Sequence, residues 1–139
     1  MAIARRLLDH ILGEAETAPG REICGLLFGD EGVIRDARPA ANVAPDPRRH
    51  FEVDPQALFV AIRAERAGGP RMIGHYHSHP GGAPIPSARD LADAEPGRLW
   101  LIIAHGTARL WRSRIGGFDP VALVVAGEDA AQELYLKNQ

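Results

Sequence analysis

Cysteine is nearly absent from this chain of 139 residues, which contains a single one, Cys24. One cysteine cannot form an intramolecular disulfide, and it cannot supply the cysteine pairs of a structural zinc finger. A zinc deaminase is excluded for the same reason, because its Pro-Cys-x-x-Cys element needs further cysteines. Disulfide frameworks and cysteine-rich zinc sites are therefore both ruled out.

Long hydrophobic runs and an excess of one charge are also lacking. No apolar run reaches membrane-spanning length, and the N-terminus reaches Arg5 and Arg6 before any signal-peptide core could form. The formal net charge is −2 and the basic residues are scattered, so the chain has no phosphate-binding stripe. We therefore expect a cytoplasmic protein that binds neither membranes nor nucleic acid.

The composition supports one domain that spans residues 1–139, because 45% of the residues are hydrophobic and the chain is too short for two comfortable cores. Helical periodicity predicts a first helix that stops near Pro19, and Asp54 followed by Pro55 predicts the start of a second helix. A short helix is expected at residues 128–136. The apolar face of the first helix comprises Ile3, Leu7, Leu8, Ile11, Leu12 and Ala15.

Strand patterns alternate with these helices, which predicts an α+β protein. Residues 23–28 and 32–38 have the pattern of a β-hairpin around a glycine-containing turn. Residues 39–49 are rich in proline and are expected to form a loop. Further strands are predicted at residues 51–53, at the histidine-rich segment that begins near residue 72, and at residues 99–104, 108–115 and 121–125.

Two histidines, His77 and His79, are separated by one residue. Side chains alternate along a strand with period two, so both imidazoles would point to the same side and could reach one metal ion. His75 lies on the same face by the same alternation. The spacing alone does not decide which two of the three, or whether all three, would bind the metal.

Asp90 follows a turn rich in glycine and proline, residues 81–86, which can fold the chain back toward the histidines. Its carboxylate could be a third ligand, and a catalytic zinc usually has three protein ligands and an open position for water. Ser87 and Asp90 also have the spacing of a helix N-cap followed by an acidic residue in the first turn. The two interpretations are compatible, because a capped helix start would hold Asp90 in a fixed position.

These segments together resemble the JAMM motif of the MPN-plus (JAB-domain) metalloproteases. The resemblance rests on His77-Ser78-His79-Pro80, six intervening residues, Ser87, two further residues and Asp90. Residues 22–29 are similar to the strand that carries the family's catalytic glutamate. The resemblance extends from the first helix to at least Leu110, and the compact chain is most similar to the short prokaryotic branch.

The resemblance implies a role for each of five residues. His77, His79 and Asp90 would be the ligands of one zinc ion per chain. Glu22 would be the general acid/base, and it would accept a proton from water and pass it to the leaving amine. Ser87 would donate a hydrogen bond to the substrate oxygen as that oxygen gains charge.

Cys24 and His75 lie beside this set as candidate neighbours of the metal ligands. Cys24 shares a strand face with Glu22 and is interpreted as a small core residue, with an extra ligand as the alternative. His75 stands where family members commonly carry a large aromatic residue, and we expect it to pack against a metal ligand or to hydrogen-bond one. The three remaining histidines are expected to be structural or surface residues: His10, His50 and His105.

The resemblance also implies a fold and an activity. The fold would be a single MPN/JAB-type domain, with a mixed, curved β-sheet flanked by helices in a cytidine-deaminase-like layering. The activity would be that of a zinc-dependent metalloprotease or isopeptidase, which hydrolyses an amide bond after the C-terminal Gly-Gly of a ubiquitin-like or sulfur-carrier protein. A zinc peptidase that acts on small peptides and a non-catalytic binding module are the alternatives.

The sequence allows more than one role for two regions. The loop at residues 40–50, with Arg48 and Arg49, would cover the substrate groove, recognise an acidic surface of the carrier, or form a solvated turn. Large apolar residues late in the chain are interpreted as core, and a docking face or a homodimer interface is the alternative. They are Trp100, Trp111, Phe118 and Leu123.

Overall fold

A computed structural model describes residues 1–127 and shows one eight-stranded mixed sheet and three helices in that part of the chain. The helices are α1 (Arg5–Glu16), α2 (Pro55–Arg66) and α3 (Ala88–Asp93). The strands are β1 (Ala2–Ala4), β2 (Cys24–Asp30), β3 (Val33–Ala40), β4 (Met72–Ser78), β5 (Leu99–Ala104), β6 (Thr107–Arg114), β7 (Gly117–Val121) and β8 (Val124–Ala126).

The histidine strand β4 lies inside the sheet, whose order is β7-β6-β5-β4-β2-β3-β1-β8. It pairs antiparallel with β2 and parallel with β5, so its backbone is held on both sides. The hairpin predicted for residues 23–28 and 32–38 is confirmed by the antiparallel pairing of β2 with β3. The expected mixed sheet of an α+β domain is therefore present, and the histidines are carried by one of its interior strands.

Alternate residues of β4 face two different layers. Tyr76 belongs to the larger apolar cluster, which includes Ile11 of α1; we call this side of the sheet the α1 face. The opposite side, the α2 face, holds a smaller cluster that includes Leu26 and Ala61 of α2. His77 lies on the α2 face, where its ring stacks on that of Phe51.

The strand β1 was not predicted, and the assignment of Ile3 to the first helix is wrong. Ile3 is fully buried in β1, and α1 begins at Arg5. The reason is tertiary, because β1 pairs in parallel with both β3 and β8 and so gains hydrogen bonds that helical periodicity does not reveal.

The C-terminal strand prediction is also wrong, since residues 121–125 form no single strand. β7 ends at Val121 beside β6, and β8 begins at Val124 on the far edge of the sheet, paired with β1. The expected strand at residues 51–53 is reduced to one isolated bridge between Val53 and Asn42. The helix predicted at residues 128–136 lies outside the described residues.

Other predictions are confirmed in whole or in part. Asp54 caps α2 by accepting a hydrogen bond from the Gln56 backbone N–H, with Pro55 at the first helical position. Of the four large apolar residues expected in the core, Trp100 is a core residue at 3% exposure, and the partly buried Leu123 packs against the α1-face cluster. The core prediction is wrong for Trp111 and Phe118, which are half-buried. Among the described helices, none has both the length and the apolar character needed to cross a membrane.

Candidate metal centre

Three potential metal-binding atoms face one another where β4 ends and α3 begins. The Nε2 atoms of His77 and His79 are 3.0 Å apart, and Oδ2 of Asp90 is 3.4 Å from the first and 3.2 Å from the second. A tetrahedral zinc with bonds of about 2.0–2.1 Å to nitrogen and oxygen separates its ligand atoms by roughly 3.3 Å. The spacing of the three atoms therefore fits ligands around an ion of that size.

The backbone of β4 fixes both histidines. His77 is in register with Cys24 of β2 and with Ile102 of β5. One step beyond the strand, the backbone N–H of His79 still donates to the carbonyl oxygen of Ile103 at 2.8 Å. Pairing on both sides thus carries the strand alternation through to the second histidine.

The helix cap fixes Asp90. The Ser87 hydroxyl oxygen accepts a hydrogen bond from the Asp90 backbone N–H at 3.1 Å, and Asp90 Oδ2 accepts one from the Ser87 N–H at 2.9 Å. This reciprocal pair is a capping box. The capping interpretation of the Ser87–Asp90 spacing is therefore confirmed. The same oxygen, Oδ2, lies 3.2 and 3.4 Å from the two histidine nitrogens, and its role as a metal ligand stays a prediction.

The hydrogen bonds of the rings favour metal binding through Nε2. His79 Nδ1 lies 2.9 Å from the carbonyl oxygen of Ala83, which can only accept, so Nδ1 carries the proton and Nε2 offers its lone pair. His77 is fully buried and stacks on Phe51 with ring centroids 4.1 Å apart. Its Nδ1 has no hydrogen-bond partner within the described part of the chain.

Glu22, which lies two residues before β2, reaches the two histidines. One of its carboxylate oxygens and a ring nitrogen of each of His77 and His79 all lie within 4.8 Å of one another. The side chain is 4% exposed, and burial raises the pKa of its carboxyl to about 7, while His79 acts to lower it and Asp90 to raise it. Two carboxyl groups, those of Glu22 and Asp90, therefore flank the histidine pair.

The ionisation of the other members follows from their neighbours. Burial tends to raise the pKa of Asp90, but its hydrogen bonds with His77 and His79 outweigh burial and hold that pKa well below the usual range. Burial lowers the pKa of His77. Burial also tends to lower the pKa of His79, but hydrogen bonds with Asp90 and the Ala83 carbonyl raise it overall. Asp90 is thus a carboxylate at neutral pH, whereas Glu22 titrates near it.

Two residues that position Glu22 had no assigned role in the sequence analysis. The Ser78 hydroxyl accepts a hydrogen bond from the Ile23 N–H at 2.9 Å, and the Ser78 N–H donates to the Ile23 carbonyl at 3.1 Å. Asn42 donates from Nδ2 to the carbonyl oxygens of Glu22 and His50. Ser78 lies between the two histidines and so points to the other face of the strand. This alternation is the sequence signal that could have identified Ser78.

The remaining candidates lie apart from the donor atoms. Cys24 belongs to the α2-face cluster, its thiol lies against the carbonyls of Ala40 and Ala41, and burial raises its pKa to about 12. It is buried as a core residue would be. His75 packs edge-on against Trp100 with centroids 4.3 Å apart, and burial lowers its pKa to about 3. The ring is therefore neutral and contacts aromatic residues.

A groove of about 450 Å³ opens beside the metal centre. Glu22, His79 and Ser87 line it, and the loop at residues 40–50 contributes Arg48 and Arg49. The loop therefore borders the groove. Among the other three histidines, His10 and His105 are exposed, and His50 is half-buried.

The chain is similar to a desampylase and to a probable conjugate cleaving protease. It is 38% identical over 111 residues to a desampylase of Haloferax volcanii, which covers 76% of this chain and 80% of that protein. It is 39% identical over 96 residues to a probable TtuB-protein conjugate cleaving protease of Thermus thermophilus, over 66% of this chain and 62% of that protein.

Solved structures share the fold. A solution structure of a protein from Desulfitobacterium hafniense matches with a TM-score of 0.80 at 27% identity, over 92% of this chain and 94% of that one. A structure described as JAMM, a metalloprotease-like zinc site in the proteasome and signalosome, matches with a TM-score of 0.56 at 24% identity, over 91% and 97% of the two chains. The profile of Prok-JAB, the prokaryotic homologs of the JAB domain, matches residues 4–114, and the chain belongs to that family.

Proposed function

We propose that this protein is a zinc-dependent isopeptidase of the JAMM type. It would hydrolyse an amide bond after the C-terminal Gly-Gly of a ubiquitin-like or sulfur-carrier protein. The observation that carries the proposal is the triangle of donor atoms from His77, His79 and Asp90, with sides of 3.0 to 3.4 Å, beside the buried carboxyl of Glu22. The similarity to a desampylase and to a probable conjugate cleaving protease supports the choice of substrate class.

The carboxyl groups of Asp90 and Glu22 would have different roles. Asp90 is the better zinc ligand, because its Oδ2 is 3.2 and 3.4 Å from the two ring nitrogens and its carboxylate is ionised. A zinc ion held by His77, His79 and Asp90 would polarise the scissile carbonyl and lower the pKa of a bound water to about 7. This assignment leaves Glu22 outside the ligand set and free to move protons.

Glu22 has the pKa that proton transfer at neutral pH requires. Its carboxyl, with a pKa of about 7, can both accept a proton from the attacking water and return one to the leaving amine. Coulomb attraction to a bound cation would lower this pKa and favour the carboxylate form that must act first. Environments that push the pKa values of two neighbouring carboxyls apart are typical of acid/base sites.

Ser87 is arranged to stabilise the developing charge. Its hydroxyl oxygen accepts the hydrogen bond from the Asp90 N–H, so the hydroxyl hydrogen remains free to donate to a substrate oxygen. The residue is exposed at the edge of the groove, where a substrate can reach it. Loss of one such donor costs about 10²- to 10³-fold in rate in comparable enzymes.

The experiment that tests this proposal compares three substrates of the zinc-loaded protein: a carrier joined to a target lysine through Gly-Gly, a linear carrier fusion and a free peptide. We expect cleavage after Gly-Gly by intact mass, with none in the presence of a chelator. Cleavage of the free peptide alone would favour the small-peptide hydrolase, and binding of the carrier without cleavage would favour the binding module.

Location in the cytoplasm and a homodimer remain predictions.

A further inference from the structure

A second cavity, of about 510 Å³, lies on the α2 face beside the metal centre. His75 and Trp100, which are register partners on β4 and β5, both line it. Phe51 also lines it and stacks on the metal-site residue His77, so this ring separates the cavity from the donor atoms. Apolar side chains complete its walls: Leu26, Val53, Leu58 and Met72.

Two nitrogens in this lining are buried without a partner. Nδ1 of His75 and Nε1 of Trp100 have no hydrogen-bond partner in the described part of the chain, and Trp100 is only 3% exposed. Buried polar atoms are paired as a rule, so each unpaired one needs an explanation. Neither nitrogen is open to the cavity as the chain stands, so a ligand would reach Trp100 Nε1 only if the cavity wall shifted. An indole nitrogen can only donate, and such a ligand would then have to present an acceptor such as a carbonyl oxygen.

The charges around the cavity favour a cationic ligand. Three carboxylate residues line it, Glu52, Asp93 and Glu95, together with one basic residue, Arg98. Asp93 is bound to Arg89 at 2.8 Å, whereas no ion pair involves Glu52 or Glu95 among the described residues. Aromatic walls also attract cations through the faces of their rings.

The shape and chemistry of the cavity match the part of the proposed substrate on the lysine side of the isopeptide bond. The Gly-Gly tail of a carrier has no side chains and cannot fill a cavity of about 510 Å³. The protein attached through its lysine does have side chains, and a lysine or arginine combines an apolar stem, a positive end and a neighbouring backbone carbonyl. We propose that this cavity binds a basic side chain of the attached protein next to the isopeptide bond, an inference that rests on the proposed function.

Binding is tested first without catalysis, with five-residue peptides that carry a central arginine or a central glutamate. In ¹H–¹⁵N spectra of the metal-loaded protein, we expect the arginine peptide to shift the indole N–H signal of Trp100, which a Trp111→Phe variant assigns. We expect it to bind about fivefold more tightly than the glutamate peptide, as for a pair of partly exposed charges. An indole signal that neither peptide moves would overturn the proposal and leave water as the partner of these nitrogens.

A double variant, Glu52→Gln with Glu95→Gln, removes the two carboxylates without changing their size. It should abolish the preference for the arginine peptide and leave zinc content unchanged. The matched control, Asp9→Asn with Asp119→Asn, makes the same change in net charge at exposed residues that do not line the cavity. A loss of preference that is equal in both double variants would indicate long-range attraction and would overturn the assignment to this cavity.

A cleavage assay provides the second test of the proposed cavity. Conjugates that carry arginine beside the modified lysine should be cleaved with a kcat/KM about fivefold higher than conjugates that carry glutamate there. The Glu52→Gln/Glu95→Gln variant should lose this preference and cleave the two conjugates with equal kcat/KM. Equal cleavage of both conjugates by the wild type would overturn the inference. If the arginine peptide shifts the Trp100 indole signal but no conjugate is cleaved, the proposed function is rejected and binding of a basic side chain in the cavity is supported.

Discussion

The two faces of strand β4 differ in how their polar groups are satisfied. On the α1 face, Tyr76 donates to Glu14 Oε1 at 2.7 Å, and Ser78 accepts from the Ile23 N–H at 2.9 Å. On the α2 face, the buried Nδ1 atoms of His75 and His77 and Nε1 of the adjacent Trp100 have no partner among residues 1–127. One strand thus presents paired polar groups to one layer and unpaired ones to the other.

This difference separates a face that stabilises the fold from a face that holds the site. A buried polar group without a partner costs about 1–3 kcal/mol of folding free energy, so such groups are few in native proteins. Within the described residues, three of the four such nitrogens lie in the layer that holds the metal centre and the neighbouring cavity, and the fourth is Nδ1 of His50. Substitutions on the α2 face should therefore change metal binding and activity, and those on the α1 face should change stability, except at Ser78, whose hydroxyl holds the backbone next to Glu22.

Removal of a metal ligand should have the largest effect. We expect wild-type protein to contain one zinc per chain and folded His77→Ala and Asp90→Ala proteins to contain none, with cleavage below detection, since a three-ligand site does not survive the loss of one. Elemental analysis of the purified proteins measures this. His75→Phe is the matched control on the same strand face and should keep its zinc. Retention of zinc by folded His77→Ala protein would refute the ligand assignment.

Glu22→Gln should separate catalysis from metal binding. We expect zinc to be retained and kcat to fall by about 10²- to 10⁴-fold, because the general acid/base is lost. Zinc content and kcat, measured on the same samples, give the result. Loss of zinc in this variant would instead make Glu22 the third ligand in place of Asp90.

The same substitution should stabilise the metal-free protein at higher pH. Burial raises the pKa of Glu22 to about 7, so the folded state binds a proton that the unfolded state has already lost. The stability of the wild type should therefore fall as the pH rises from the ordinary glutamate pKa through about 7. With chelator present, Glu22→Gln protein should melt at a higher temperature than wild type at pH 8 and at nearly the same temperature at pH 4. A wild-type advantage at pH 8 would contradict this.

Ser78→Ala should have an intermediate effect that links the two faces. It leaves the buried Ile23 N–H without its acceptor, which should cost about 1–3 kcal/mol of unfolding free energy. It should also loosen Glu22, the preceding residue, and reduce kcat by about tenfold, since small misplacements of catalytic groups are costly. Denaturant unfolding and the kcat of zinc-loaded protein measure the two effects. Ser78→Thr, which keeps the hydroxyl, should restore both; failure of this rescue would assign the loss to packing.

The metal centre was predictable from the sequence because its parts are local. His77 and His79 are two residues apart, and the alternation of side chains along a strand predicts that they share a face. Ser87 and Asp90 lie within one helical turn, and their residue types predict a helix cap. Glu22 is separated from them by more than 50 residues, and only the resemblance to a family connected it with the histidines. The structure then placed it beside both rings.

The features that escaped prediction depend on distant pairing or on packing. β1 and β8 exist because they pair in parallel with each other, and no periodicity within three residues reports such a partner. The unpaired nitrogens of His75 and Trp100 result from what surrounds them in the folded chain. The hydrogen bond from the Ile23 N–H to the Ser78 hydroxyl oxygen likewise joins residues 55 positions apart. Composition and spacing cannot show whether a buried group has found a partner.

Glu14→Gln should produce the smallest effect, and it tests the α1 face. Burial raises the pKa of Glu14, and its hydrogen bond with Tyr76 lowers it in part, so the ionised carboxylate is disfavoured in the fold. Wild-type stability should accordingly decline as the pH rises from the ordinary glutamate pKa through the higher folded value. Glutamine cannot ionise and can still accept from the Tyr76 hydroxyl, so the variant should gain stability relative to wild type over that interval.

Denaturant unfolding of metal-free protein at several pH values between 4 and 7 would measure this gain, with Tyr76→Phe as the control that removes the donor. Loss of that hydrogen bond should cost about 0.5–1.5 kcal/mol. In zinc-loaded protein, kcat should stay at the wild-type value for both substitutions, because neither side chain lines the groove beside the metal centre. A kcat that fell with Glu14→Gln would mean that α1-face residues beyond Ser78 also set the geometry of the site, and the division between the two faces of β4 would fail.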